Sequence, residues 1–132
     1  MKKWPAKKRR FKRFKCKEGA FAAFIKPDEL INMGQIQDIG MGGLCVRYVT
    51  ANTGYGERSA IKIFGTNNRF IHVEKIQCRI VYDHEVPEGS WEQICTRRCG
   101  VKFKNLDVDR QRMLQEFIDH FASDKTQAGT SR

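Results

Sequence analysis

The stretch Lys7-Lys8-Arg9-Arg10-Phe11-Lys12-Arg13-Phe14-Lys15 places seven cations and two phenylalanines in nine positions. Residue types at this density suit the capture of anions. Guanidinium is a planar fork of N–H donors that matches an oxyanion in bidentate fashion, which the point charge of lysine does less well. A second stretch, Asp38-Ile39-Gly40-Met41-Gly42-Gly43-Leu44, sets three glycines within five positions behind a carboxylate. Glycine in a strand context costs about 0.5–1 kcal/mol relative to alanine. Where it is kept, it often marks a bend or a close approach to the backbone. Taken singly, the first stretch reads equally as a solvated tail, and the second as a tight hairpin with Asp38 as a turn residue.

The charge distribution bears on the first stretch. The chain has 132 residues, 25 Lys plus Arg and 15 Asp plus Glu, for a net charge of +10. Ten of the cations and none of the acids fall within residues 1–17, so the remainder balances at 15 of each. A protein that coats long nucleic acid spreads basic residues over a folded face. Here the excess sits on one segment, which suits anion capture at a single place.

The elements that must position these residues are mostly strands. Residues 20–25 form a short apolar run, and residues 26–34, with Pro27 and Gly34, read as a loop. Residues 43–50 alternate with period two, as do 60–65 and the long stretch 69–86, with a kink near Lys75. Trp91 to Phe103 reads as a further strand with Gly100 as a possible bulge. From Leu106 the period becomes helical, with Met113, Leu114, Phe117, Ile118 and Phe121 on one stripe and Asp107 as N-cap. The fold class expected is mainly β: a six-stranded antiparallel barrel closed by a C-terminal α-helix, with a flexible basic N-terminal arm. The expected organisation is an arm over 1–17, a barrel plus helix over 18–121 and a disordered tail over 122–132.

Several function classes find no support. No run of 18 or more apolar residues exists, so membrane insertion is not expected, and a cytoplasmic location is. Cys16, Cys45, Cys78, Cys95 and Cys99 are odd in number and irregularly spaced, against a disulfide framework, and no metal set completes the Cys95–Cys99 pair. They read as buried thiols. No nucleophile elbow or zinc-protease motif occurs, and Gly54-Tyr55-Gly56 reads as a hairpin turn. The chain is not read as an enzyme.

Together, Arg9-x-x-x-Arg13 and Asp38-x-Gly40-x-x-Gly43, with the separation between Arg13 and Asp38, resemble the hallmarks of the PilZ domain, a bacterial receptor module for cyclic di-GMP. The ending Gly100-Val101-Lys102-Phe103 followed by Leu106-Asp107 and a helix is similar to the family's last strand and closing helix, and the likeness covers about residues 8–121. The resemblance implies a PilZ-type barrel and a cyclic di-GMP site made by Arg9, Arg10, Arg13, Asp38, Gly40 and Gly43, with no cofactor. It also implies a downstream protein partner that reads the ordering of the arm. An arginine fork suits the O6/N7 edge of guanine and phosphate oxygens alike, and the Asp38 carboxylate suits the N1–H/N2–H edge. Phe11 and Phe14 would stack on a base or, slightly favoured, pack on the barrel. The family usually has serine where this chain has Gly40, which removes one hydrogen bond worth about 0.5–1.5 kcal/mol. Two rival readings remain: a nucleotide-independent PilZ-like adaptor in pilus or flagellar assembly, favoured by Gly40, and a nucleic-acid-binding protein using the arm with Trp4, Phe11 and Phe14, although nucleic acid is not the expected partner.

Overall fold

The computed structural model describes residues 11–26, 29–50, 59–91 and 94–123. Arg9 and Arg10 lie outside the described residues, as do Trp4 and the hairpin turn expected at 54–56. The strands are β1 (Phe14–Lys15), β2 (Ala20–Lys26), β3 (Glu29–Ile39), β4 (Gly43–Thr50), β5 (Ala60–Thr66), β6 (Phe70–Glu85) and β7 (Cys95–Phe103). One helix, α1 (Val108–Phe121), follows. The strands β3-β2-β5-β6-β7-β4 are neighbours in that order, and β4 pairs with β3 to close the ring. All pairings are antiparallel. The six-stranded barrel and its C-terminal helix are therefore as expected, and closure leaves the ring without an open edge.

Alternation decides what the barrel holds. Phe24, Ile36, Val46, Tyr48, Ile61, Ile63, Val73 and Ile76 point inward and are buried. In β6, Ile71 and Val73 face in while Phe70, His72 and Glu74 face out. The phase is then kept by an irregularity that pairs Ile63 with Val73 but Ile61 with Ile76, so the kink near Lys75 is real. The stripe of α1 drives Leu114, Phe117, Ile118 and Phe121 into the same core. A fully buried side chain of this size contributes about 1.5–3 kcal/mol. Phe121 fits because Gly65 leaves room; a Cβ there would collide with the ring. Asp107 caps the helix, its Oδ1 accepting from the Arg110 N–H at 2.8 Å. That backbone bond holds its carboxyl below the usual carboxylate range.

Four details of the sequence reading need correction. The loop expected over 26–34 is mostly strand: β3 starts at Glu29 and runs 11 residues. Its outward residues obscured the alternation, and Gly34 looked like a breaker. In fact Gly34 sits where the backbone of β4 passes close, and a Cβ would meet the Arg47 carbonyl. The bulge expected at Gly100 lies instead on the opposing strand, between Ile80 and Tyr82. Trp91 and Ile94 form only an isolated bridge, with β7 starting at Cys95.

The fourth correction concerns the termini. Within the arm expected to be flexible, residues 14–17 are docked. β1 pairs with β3 (Phe14 with Ile39, Lys15 with Asp38). On its other side, Cys16 bridges Ala122, the Lys17 N–H donates to the Phe121 carbonyl at 2.8 Å, and the Ser123 N–H donates to the Lys15 carbonyl at 2.7 Å. Residues 122 and 123, expected to begin a disordered tail, thus pair with the base of the arm, because both offered unsatisfied backbone groups. Residues 124–132 lie outside the described residues.

Candidate ligand-binding site at the arm and the glycine turn

The turn between β3 and β4 is closed by the Gly40 N–H, which donates to the Gly43 carbonyl at 2.9 Å. None of its glycines has a positive φ; among the described glycines only Gly19 does. They are required by close approach instead. A Cβ on Gly40 would collide with the Lys12 carbonyl oxygen, one on Gly42 with the Phe11 ring, and one on Gly43 with the Val101 carbonyl. The first two positions form a notch that receives the arm, and the third seats the turn against β7. Phe11 therefore packs, as slightly favoured, though it stays 46% exposed. Phe14 packs partly buried against the core.

This docking carries Arg13 onto Asp38. The Arg13 Nη1 lies 2.6 Å from Asp38 Oδ1, with side-chain exposures of 16% and 30%. Lys15 and Asp38 are register partners, so the carboxylate projects from β3 at the point where the arm joins the sheet. Of the residues expected to bind ligand, the structure brings together Arg13, Asp38, Gly40 and Gly43. The Gly40 N–H is committed to the turn, so that donor is not open to a ligand.

The site has neighbours that sequence did not single out. Asp38, Cys45, Gly100 and Tyr82 are successive register partners across β3, β4, β7 and β6. Tyr82 lies against Gly100, where a Cβ would strike its ring, and its hydroxyl donates to Cys45 Sγ at 3.4 Å. Burial, and then the Cys45 bond, push the Tyr82 hydroxyl up to about 12. Burial, reinforced by the negative charge of Asp38, pushes the Cys16 thiol to about 12, and Cys45 is raised for the same leading reason. Both thiols are therefore protonated and unreactive at neutral pH. The period-two phase of Ile76, Cys78 and Ile80 would turn Tyr82 inward; the irregularity between Ile80 and Tyr82 turns it outward instead, and strand pairing sets it beside Asp38.

The PilZ domain family matches residues 7–120. The chain belongs to the PilZ domain family. No curated protein matches it in sequence. Solved structures that share the fold include two of YcgR. One is the PilZ domain of YcgR from Escherichia coli with c-di-GMP, at 20% identity and TM-score 0.57, covering 86% of this chain and 90% of that one. The other is YcgR from Escherichia coli in complex with c-di-GMP, at 19% identity and TM-score 0.58, covering 86% of this chain but 45% of that one. In this PilZ domain, no group of three or more His, Cys, Asp or Glu among the described residues could hold a metal. No helix among them is long and apolar enough to cross a membrane.

Proposed function

We propose that this PilZ domain is a cyclic di-GMP receptor, with the dinucleotide gripped by the arm arginines on one side and Asp38 on the other. The observation that carries the reading is the placement of the Arg13 guanidinium on the Asp38 carboxylate at the glycine turn. The family membership and the c-di-GMP named with the two YcgR structures support it.

The pair holds unused hydrogen-bonding capacity. Arg13 donates through one nitrogen, and Asp38 accepts through one oxygen. A guanidinium has five N–H donors and a carboxylate about four lone-pair sites. A guanine can therefore take the outer edge of Asp38 while Arg13 turns to a phosphate or to O6/N7 of a base. Arg9 and Arg10 supply further forks from the segment before Phe11. The chain's own contacts dock residues 11–17 on the barrel, and ordering of the arm around the dinucleotide is the signal of occupancy. A downstream protein reads that change.

Calorimetric titration of the full chain with cyclic di-GMP tests this. Binding that is lost in Arg13→Ala and kept in Lys3→Ala is the expected result, since only directed contacts distinguish the two. Absence of binding at tens of micromolar dinucleotide sinks the reading. One observation favours the second reading, a nucleotide-independent adaptor: the Lys12 carbonyl already fills the space over Gly40, where the family's serine would stand. That reading requires silent calorimetry together with an intact arm–barrel contact.

A further inference from the structure

On the outer face of β2, β5 and β6 lies a row of aromatic rings. Phe21 and Phe64 are register partners across β2 and β5, and Phe64 and His72 across β5 and β6. The rings follow one another: Phe21 stacks on Phe64 with centroids 5.7 Å apart, Phe64 lies 6.4 Å from Phe70, and Phe70 stacks on His72 at 5.6 Å. Phe70 is 63% exposed, and Met33, paired with Ala23 two positions along β2, is 51% exposed. A single exposed apolar side chain is ordinary, but a contiguous patch marks an interaction surface, and phenylalanine and methionine are enriched at such surfaces. Beside the rings, Lys62 and Glu74 stand across the seam between β5 and β6, where Ile61 pairs with Ile76 and Ile63 with Val73. Both are exposed. Glu74 meets His72 at 3.1 Å, and Lys62 has no carboxylate partner among the described residues.

We propose that this face pairs with the same face of a second copy of the chain, about a two-fold axis along the seam between β5 and β6. Rotation about that axis lays β5 of each copy over β6 of the other, as sheets stack about 10 Å apart. Residues opposite one another across the seam then meet: Lys62 of one copy reaches Glu74 of the other, and Phe64 reaches His72. The face is therefore complementary to itself in charge, as an isologous contact requires. Net charge favours the same arrangement. The ten cations of residues 1–17 repel those of a second copy, whereas the rest of the chain balances at 15 of each sign. In the ring β3-β2-β5-β6-β7-β4, the strands β5 and β6 stand opposite β4 and β3, where the arm docks at the glycine turn. Pairing through β5 and β6 thus points the two arms away from each other, past the screening distance of about 8 Å, and leaves both ligand sites open. Composition argues against a cover from within the chain. Residues 1–10 bring Trp4 as their one aromatic, residues 51–58 bring Tyr55, and residues 124–132 bring none.

Sedimentation velocity of the full chain over a concentration series tests this, with thermal melts to show that each variant is folded. The parent is expected to form a dimer as its concentration rises to ~100 μM. Lys62→Glu and Glu74→Lys are each expected to weaken self-association about tenfold or more, because each sets like charges together at two symmetry-related contacts. Mixed in equal amounts, the two variants are expected to recover a dimer, since the exchanged charges complement each other only between copies. Phe70→Ser removes the most exposed ring of the row and should weaken the dimer by about tenfold as well. Arg112→Gln, on the exposed side of α1, should leave it unchanged. A parent chain that stays monomeric at ~100 μM overturns the proposal and leaves the rings to a different partner. So does a mixture that associates no better than either charge variant alone, or a Phe70→Ser chain that dimerises like the parent. Neither Arg13 nor Asp38 is altered, so these outcomes leave the dinucleotide reading to its own titration.

Discussion

Two Arg–Asp pairs of similar length differ in burial and in how fully their hydrogen-bonding capacity is used. Inside one end of the barrel, Arg97 Nε sits 2.8 Å from Asp83 Oδ1, and the Arg97 Nη2 donates to the Asp83 carbonyl at 2.9 Å. The Tyr48 hydroxyl donates to Asp83 Oδ2 at 2.7 Å. Both carboxylate oxygens are thus used, and the side chains are only 15% and 11% exposed. At the rim, Arg13 and Asp38 make one contact, and Arg13 stands just ahead of a strand of only two residues. A saturated pair fixes structure. An unsaturated pair on a segment held by few bonds has donors, acceptors and freedom left for a ligand.

The sharpest way to break this comparison is at the saturated pair. Arg97→Ala leaves the Asp83 carboxylate partly buried without its counter-charge and is expected to cost about 3–5 kcal/mol, read by urea unfolding. The folded fraction should bind the dinucleotide as the parent does. A stability loss below about 1 kcal/mol would remove the distinction between the pairs.

Arg13→Ala should do the reverse. Its expected effect is a loss of dinucleotide affinity of about 2–5 kcal/mol, or roughly thirtyfold or more, with little change in the urea midpoint. An equal loss from Lys3→Ala would mean diffuse charge attraction rather than a directed grip.

Gly40→Ser restores the residue usual in the family but places a Cβ where the Lys12 carbonyl lies. The strain of such overpacking, about 1–3 kcal/mol, should be relieved by lifting of the arm. Faster hydrogen exchange at the Cys16 and Lys17 amides, which donate to Gln37 and Phe121, would report it. Unchanged exchange would show that the notch does not hold the arm.

The smallest expected effect is chemical. The docked Cys16 thiol, raised to about 12, is protonated at neutral pH and should alkylate slowly. Lifting the arm in Gly40→Ser lets its pKa fall back, and reaction with iodoacetamide at Cys16, followed by peptide mass analysis, should quicken severalfold. A rate already fast in the parent chain would contradict the docked geometry.

Most of the fold was legible because its signals are local. Alternation in residues 43–50, 60–65 and 70–80, and the helical stripe from Met113 to Phe121, each follow from which side of an element meets the core. The start of β3 was not legible. Pro27 and Gly34 look like punctuation, and the need for Gly34 arises only from the passing β4 backbone. The base of the arm misled for a similar reason. Lys15 and Lys17 promise solvent, yet backbone bonds to β3 and to the end of α1 hold the segment whatever its side chains. Within the candidate site, Arg13, Asp38 and the glycines could be picked out from their types and spacing alone. Tyr82 and Cys45 could not, since their role comes from neighbours 37 or more residues away or on other strands.

By itself, the sequence determined a β-barrel with a closing helix, a cationic arm and a carboxylate–glycine turn, since hydrophobic period, charge and residue type are properties of short stretches. Only the tertiary structure decided that Arg13 already lies on Asp38, that a carbonyl fills the notch at Gly40 and that Phe21, Phe64, Phe70 and His72 form one row across β2, β5 and β6. Those facts depend on which strands pair and in what register, and register is set by the closing of the whole barrel around its core.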